Sequence, residues 1–369
     1  MSRLDLRVPA GIAAIKPYVA GKPIEELSRE YGITDAIKLA SNENPIGPSP
    51  KAVEAVRGAL PTLHRYPDAA AHDLTAALAD RLGVAPETIV LGNGSDEILG
   101  LITRVFLQPG DEAILPRPAF LMYEILVRCD GGIPVSVPLR GLSIDLPEMA
   151  RRVTDRTRIV FLTHPNNPTG EILDRAEFEA FLSDLPPRVI VVMDEAYFEF
   201  ARGPSVFSGL AYLDSGHPVA TLRTFSKAYG LAGLRVGYGV MDPEMAELIQ
   251  RVRPPFNTSI PAQAGARAAL ADEAFLQQTL ATVHDGIDTL TADLKEMGLS
   301  PHPTQANFIL VDVGRSADDL FDAMLREGVI IRSMSAYGLP RHVRLTVGRP
   351  EDNRRLIAAL GRVLGCGSR

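Results

Sequence analysis

Arg223-Thr224-Phe225-Ser226-Lys227-Ala228-Tyr229-Gly230-Leu231-Ala232-Gly233-Leu234-Arg235 is the stretch that decides the fold and the chemistry of this chain. Residues 219–222, just before it, are mostly apolar and read as a buried strand. The lysine that follows is flanked by two hydroxyls, Thr224 and Ser226, and Arg235 comes at short range. An amine can form a Schiff base with an aldehyde. Hydroxyls and a guanidinium can hold a phosphate, and glycines let the backbone approach closely. Most lysines are solvated surface residues, so Lys227 gains meaning only from the sequence around it.

Upstream of that stretch, short apolar runs alternate with amphipathic helical patterns from about residue 39 to residue 270. The spacing predicts strands near 89–91, 113–115, 135–137, 159–163, 189–193, 219–222 and 236–241. Several are apolar on both faces, which suits strands covered by helices on each side. Such alternation predicts an α/β fold built on a mainly parallel, doubly covered sheet. In the last third, helical patterns alternate with apolar runs at 308–313, 329–332 and 343–347, which predicts a smaller α/β domain. The expected division is an N-terminal arm over residues 1–37, a large domain over 38–260 and a small domain over 261–369. The hinge is expected between residues 253 and 261, where Pro254-Pro255 falls. The arm contains Pro17, Gly21 and Pro23 and reads as partly irregular, packing on the small domain or on a partner subunit.

In open α/β sheets, ligands bind beyond the carboxyl ends of the strands. Four strand ends here are polar in ways that suit one ligand. The run at 89–91 leads into Gly92-Asn93-Gly94-Ser95-Asp96-Glu97 and then a helical pattern. Glycines and a small hydroxyl at a helix start make an anion cup of backbone N–H groups. Taken alone, this reads better as a plain turn capped by Ser95 or Asp96. It is not a dinucleotide fingerprint, because Glu97 stands where a third glycine is needed. The run at 159–163 ends in His164-Pro165-Asn166-Asn167-Pro168-Thr169-Gly170, a proline-locked loop that can aim the amide of Asn167. The run at 189–193 ends in Asp194-Glu195-Ala196-Tyr197. A carboxylate at the end of a buried run needs a partner, and a protonated pyridine nitrogen is one. With Lys227, the four ends supply a phosphate cup, an amide, a carboxylate with a phenol, and an amine. Together they match pyridoxal 5′-phosphate.

Length and composition set bounds on this reading. A chain of 369 residues suggests two domains. Its 46% apolar and 22% charged residues are ordinary for a globular protein. A net charge of −7 with no large basic run argues against nucleic acid and anionic membranes as partners. Cys129 and Cys366 are far apart, with no Cys-x-x-Cys and no His/Cys cluster, so they read as reduced thiols and no metal is expected. No segment is apolar for long enough to span a bilayer, and the first residues lack a signal-peptide core. A cytoplasmic protein is expected.

The chain resembles the fold-type-I pyridoxal-phosphate aminotransferases of the aspartate aminotransferase superfamily, and within them the histidinol-phosphate aminotransferases. The likeness runs through Ile15-Lys16-Pro17-Tyr18-Val19-Ala20-Gly21-Lys22-Pro23, Lys38-Leu39-Ala40-Ser41-Asn42-Glu43-Asn44-Pro45 and Arg65-Tyr66-Pro67-Asp68. It continues through the Gly92 cup, the Asn167 loop, Asp194-Glu195-Ala196-Tyr197, Ser226-Lys227 and Arg344-Leu345-Thr346-Val347-Gly348. The resemblance implies a large domain with a three-layer, mainly parallel sheet, and a smaller C-terminal α/β domain joined by the N-terminal arm. It implies that Lys227 carries the cofactor and shuttles the substrate proton. Asp194 would pair with the pyridinium nitrogen. Asn167 and Tyr197 would bond the cofactor's phenolic oxygen. Ser95, the Asp96 backbone, Thr224, Ser226 and Arg235 would hold the phosphate, and Phe120 would stack on the ring. Tyr66 would reach the phosphate of the neighbouring subunit of a homodimer. For substrate, the resemblance implies Arg344 as the anion-binding residue and Arg332 as a second cation, with Tyr18, Asn44 and Tyr123 lining the pocket.

The implied reaction is a two-stage transamination of L-histidinol phosphate with a 2-oxo acid, 2-oxoglutarate, as co-substrate. Arg344 would serve phosphate in one half and carboxylate in the other, since a planar guanidinium accommodates both. The alternatives are an aromatic amino-acid aminotransferase and, less favoured, a decarboxylase of a phosphorylated amino acid on the same scaffold. A cofactor-sensing regulator would require a DNA-binding extension that the sequence lacks.

Overall fold

The protein is described by a computed structural model, which covers residues 7–17 and 21–365. Thirteen strands occur among the described residues: β1 (Ile37–Lys38), β2 (Ile89–Gly92), β3 (Glu112–Arg117), β4 (Ile133–Pro138), β5 (Thr157–Thr163), β6 (Ile190–Asp194), β7 (Val219–Thr224), β8 (Gly237–Val240), β9 (Ser300–Pro301), β10 (Phe308–Asp312), β11 (Val329–Ile330), β12 (Arg332–Ser333) and β13 (His342–Thr346). Seven of them form one sheet in the order β2-β8-β7-β6-β5-β3-β4. Within it β8 runs antiparallel to both neighbours, β2 and β7, and the pairs from β7 to β4 are all parallel.

Side chains along a strand point alternately to opposite faces, and the central strands use both faces for burial. Ile159 and Phe161 of β5, Ile190 and Val192 of β6, and Ala220 and Leu222 of β7 pack into one apolar layer. Val160 and Leu162, Val191 and Met193, and Val219 pack into the layer on the other side. The first layer is closed by helices Ser95–Phe106, Met122–Cys129 and Pro243–Gln250, through residues such as Ile98, Val127 and Met245. The second is closed by helices Leu146–Arg151 and Arg175–Asp184, through Met149, Phe178 and Phe181. This is the three-layer α/β arrangement that doubly apolar strands require.

Several helices begin where the sequence supplies a capping side chain. Asp174 and Asp242 accept hydrogen bonds from the backbone N–H groups of Glu177 and Glu244, and Ser259 accepts from that of Ala262.

Toward the C-terminus a second, antiparallel sheet has the order β12-β13-β10-β9, flanked by helices Glu273–Glu296, Ala317–Arg326 and Pro350–Leu364. The apolar run at 329–332 is not one strand. Val329–Ile330 pairs in parallel with Ile37–Lys38, and Arg332–Ser333 pairs with β13, with the buried Ile331 between them. Each half is drawn to a different neighbour. Strands β1 and β9 have two residues each, too few to show any period in the sequence. Helix Ile260–Leu270 buries Ala262, Ala266 and Ala269 in the same apolar cluster as Ala52 of helix Pro50–Ala59. That cluster runs without a break from Leu39, Leu74 and Phe225 to Val283, Leu345 and Leu356.

Helix Ile24–Tyr31 fixes the N-terminal segment. Its one fully buried side chain, Leu27, packs with Ala40, Leu325 and Ile330. Among the described residues, no helix is long and apolar enough to cross a membrane, and no cluster of three or more His, Cys, Asp or Glu could hold a metal ion. Leu27→Ala removes from that cluster the one large side chain that the described residues of the N-terminal segment contribute. It should lower stability by about 3 kcal/mol, read from the urea midpoint.

Candidate active site

The carboxyl ends of β5, β6 and β7 open into a cleft of about 260 Å³. Every residue expected to hold the cofactor lines it, except Tyr66: Ser95, Asp96, Phe120, Asn167, Asp194, Tyr197, Thr224, Ser226, Lys227 and Arg235. These residues come from five separate stretches of chain. Only the parallel sheet brings them together, because parallel neighbours end at the same edge.

Lys227 is half-buried in the turn that follows β7. Its Nζ donates to the Ser41 carbonyl at 3.1 Å and lies 5.7 Å from the centre of the Tyr197 ring. The turn needs glycine at Gly230. That residue has φ +69°, and a Cβ there would stand 2.2 Å from the Gly47 carbonyl oxygen.

Asp194 is the last residue of β6, so its carboxylate emerges from the sheet while still 95% buried. The Tyr123 hydroxyl donates to Oδ2 at 2.6 Å, and the Ala196 N–H donates to Oδ1 at 3.2 Å. Burial pushes the carboxyl up to about 6 despite the Tyr123 hydrogen bond, which pulls the other way. Tyr123 is fully buried, stacks on Phe161 at 4.8 Å, and also shares a 2.8 Å hydrogen bond with Thr163. It therefore lies under the Asp194 carboxylate. Phe120 stands edge-on to it at 5.7 Å and lines the cleft.

At the other end of the cleft, helix Ser95–Phe106 begins from Gly94 with no side-chain cap, so its first N–H groups carry no side-chain partner there. Gly94 has φ +80°, and a Cβ would lie 2.6 Å from Arg235 Nη2. Arg235 itself adopts φ +56° and reaches Ser226 Oγ at 3.5 Å. Thr224 and Ser226 bond each other at 3.0 Å. Two hydroxyls, a guanidinium and a helix N-terminus thus converge where a dianion can be held.

The amide of Asn167 is used on both sides. Its Oδ1 accepts from Arg344 Nη1 at 2.6 Å, and its Nδ2 donates to the Tyr197 hydroxyl at 3.4 Å. Arg344 is buried on β13, also donates to the Ala40 carbonyl at 2.9 Å, and has no partner for its Nε. Arg332, half-buried on β12, lies directly opposite Arg344 in the antiparallel register. Asn44 stands away from the cleft lining, and its amide donates to the Ala228 carbonyl and to Thr279. Tyr66 is 79% exposed and stacks on Phe256 at 4.6 Å. Tyr18 lies outside the described residues.

The segment 41–43 and Thr163 also line the cleft or bond to its residues, and the strand-end reading passed them over. Ser41 meets Lys227, Asn42 donates to the Tyr197 hydroxyl at 2.9 Å, and Glu43 lines the mouth. For residues 41–43 the signal was the polar run Ser41-Asn42-Glu43-Asn44-Pro45, which follows β1, a strand too short to show a period in the sequence. Two buried polar groups nearby have structural partners instead. Glu195 accepts two hydrogen bonds from Arg223 at 2.8 and 3.0 Å. His164 accepts from the Leu173 N–H at Nδ1, which leaves Nε2 to donate to the Phe207 carbonyl at 2.9 Å.

Residues 34–360 match the family model described as aminotransferase class I and II. The chain belongs to that family. A histidinol-phosphate aminotransferase from Nitrosococcus oceani is 47% identical over 355 residues, covering 96% of each chain. Another, from Methylococcus capsulatus, is 47% identical over 370 residues, covering 99% of this chain and 100% of the relative. Among solved structures, the histidinol-phosphate aminotransferase of Sinorhizobium meliloti in complex with pyridoxal-5′-phosphate superposes with a TM-score of 0.90. Its identity is 31%, with 99% of this chain and 98% of that one covered. These likenesses place the chain among the histidinol-phosphate aminotransferases within the larger class.

In this aminotransferase, burial lowers the His164 imidazole from 6.5 to about 4. A group held below its unfolded value contributes stability that is complete above pH 6.5 and lost as the pH falls through about 4. The expected result is an imidazole still neutral at pH 5.5 in the folded protein, read from its ring nitrogen shifts in a selectively labelled sample. A ring that titrates near 6.5 would contradict the buried neutral assignment.

Proposed function

We propose that this chain catalyses pyridoxal-phosphate-dependent transamination of L-histidinol phosphate with 2-oxoglutarate, giving imidazole acetol phosphate and L-glutamate in histidine biosynthesis. The observation that carries the reading is the cleft itself. An amine, a buried carboxylate and a hydroxyl-lined helix N-terminus share one cavity in a chain 47% identical to named histidinol-phosphate aminotransferases. The donor set fits the cofactor. The Ser95 helix start with Thr224, Ser226 and Arg235 suits its phosphate. Asp194, held near 6 by burial, gains a counter-ion from a protonated ring nitrogen.

The bound cofactor supplies an aldehyde and an electron-accepting ring. The chain's own residues do the rest. Lys227 would hold the cofactor's aldehyde and, once displaced by the substrate amine, its free amine would serve as the base that takes the proton from the substrate's Cα. Tyr197 and Asn167 direct hydrogen bonds at the cofactor's phenolic oxygen. Phe120 covers the ring face. Asp194 keeps the ring nitrogen protonated, and Tyr123 holds that carboxylate in place. Arg344 takes the anionic end of each substrate, with Arg332 beside it. The Arg344 Nε, buried without a partner, is a donor suited to that anion.

The division into an arm over residues 1–37, a large domain over 38–260 and a small domain over 261–369 belongs to the same reading, as does a cytoplasmic location. So does a homodimer. Tyr66, Leu60, Leu63, Val252 and Phe256 are large apolar side chains at 41–79% exposure, and a partner subunit would cover them. Tyr66 would then reach the partner's phosphate site.

Protein loaded with pyridoxal phosphate and mixed with L-histidinol phosphate alone should convert its cofactor to the amine form, seen as a change in the visible absorbance. A response confined to phenylalanine and tyrosine would overturn the substrate assignment. Lys227→Ala should lower turnover by about a thousandfold or more while leaving the circular dichroism spectrum intact.

A further inference from the structure

The Tyr197 hydroxyl accepts two hydrogen bonds, from Asn42 Nδ2 at 2.9 Å and from Asn167 Nδ2 at 3.4 Å. A phenol oxygen has two acceptor positions and one proton. With both acceptor positions filled by amides, the proton is left to point elsewhere, and Tyr197 lines the cleft.

The orientation of the Asn42 amide is not arbitrary. The Thr346 hydroxyl accepts from the Asn42 backbone N–H at 3.0 Å, so its own proton goes to Asn42 Oδ1, also at 3.0 Å. That puts Nδ2, and not Oδ1, on the phenol. Asn307 Nδ2 holds the Asn42 carbonyl at 3.0 Å, and Asn42 sits at φ +56°, a conformation asparagine tolerates better than most residues. Thr346 and Arg344 share one face of β13, two residues apart. Arg344 in turn bonds Asn167, which bonds Tyr197. The hydrogen bonds thus close a ring from Arg344 through Asn167, Tyr197, Asn42 and Thr346 back to β13.

We propose that Asn42 is a positioning residue: its amide, oriented by Thr346, fills the acceptor side of the Tyr197 hydroxyl and so aims the phenolic proton into the cleft, at an anionic ligand oxygen. This rests on the reading of the cleft as the pyridoxal phosphate site, where that oxygen is the cofactor's phenolate. Donation to the phenolate stabilises it and lowers the pH at which the cofactor's attached nitrogen loses its proton. Asn42→Asp replaces the donating amide with an acceptor, which draws the Tyr197 proton away from the cleft.

The test is a spectroscopic pH titration of the cofactor in the loaded protein, without substrate. Asn42→Asp should move the transition upward by about one pH unit, a tenfold change in the ionisation constant. A new negative charge alone would also move it upward, so the decisive comparison uses Tyr197→Phe. Added to Tyr197→Phe, Asn42→Asp should produce little further shift if it acts through the phenol. An equal shift in both backgrounds would assign the effect to charge and overturn the proposal. Thr346→Val, which frees the amide to turn without altering charge, should give a smaller shift in the same direction and keeps the test open should Asn42→Asp fail to fold. An unmoved transition in either folded variant overturns the positioning role and leaves the transaminase reading standing. Wild-type protein that binds no pyridoxal phosphate would overturn both.

Discussion

A strand buried on both faces can hold polar side chains cheaply only at its ends. In this molecule β5, β6 and β7 give most of their middle positions to one apolar layer or the other, and the buried Arg223 of β7 is paired with Glu195. Desolvating an unpaired polar group costs about 1–3 kcal/mol, so hydroxyls, amides and charges accumulate where the strands stop. Because these strands are parallel, they stop at the same edge. The cleft is therefore a product of the core: the packing that stabilises the sheet also collects Thr163, Asp194 and Thr224 at neighbouring strand ends.

What sits at that edge is then held by partners from far away in sequence. Tyr123, on a helix of the first apolar layer, pins the Asp194 carboxylate. Arg344, on the C-terminal sheet, pins the Asn167 amide across 177 positions of chain. Asn42 and Thr346 bond each other across 304. Such contacts tie the two sheets together at the cleft, with the polar ring lying over the continuous apolar cluster that runs from Leu39 to Leu356. Hydrogen bonds in such a dry setting are worth more than at a surface, provided each member is satisfied.

Much of this was legible in the order of residues. The seven strands of the large sheet were each marked by an apolar run, although the runs at 113–115 and 135–137 cover only half of β3 and β4, and their ends were marked by glycine, proline or an isolated charge. The lysine turn, the proline-locked loop and the glycine cup are local sequence features, and each carries its chemistry in adjacent residues. Tyr123 was expected to line the pocket only because the family resemblance implied it. Its burial beneath Asp194 depends on how helix Met122–Cys129 is rotated against β5 and β6, which no local pattern records. Asn42 lies in an irregular segment with no period, and its place beside Tyr197 depends on the pairing of β1 with β11 and on the register of β13.

The sequence by itself determined the α/β class, the doubly covered sheet and the set of groups offered to a ligand, because periodicity and turn chemistry are short-range properties of the chain. The tertiary structure alone decided which polar groups meet: the direction of the Asn42 amide, the carboxylate held by Tyr123, and the placing of Arg344 and Arg332 opposite one another. Those depend on strand register and helix rotation, which follow from the packing of the whole core and not from any neighbouring residues.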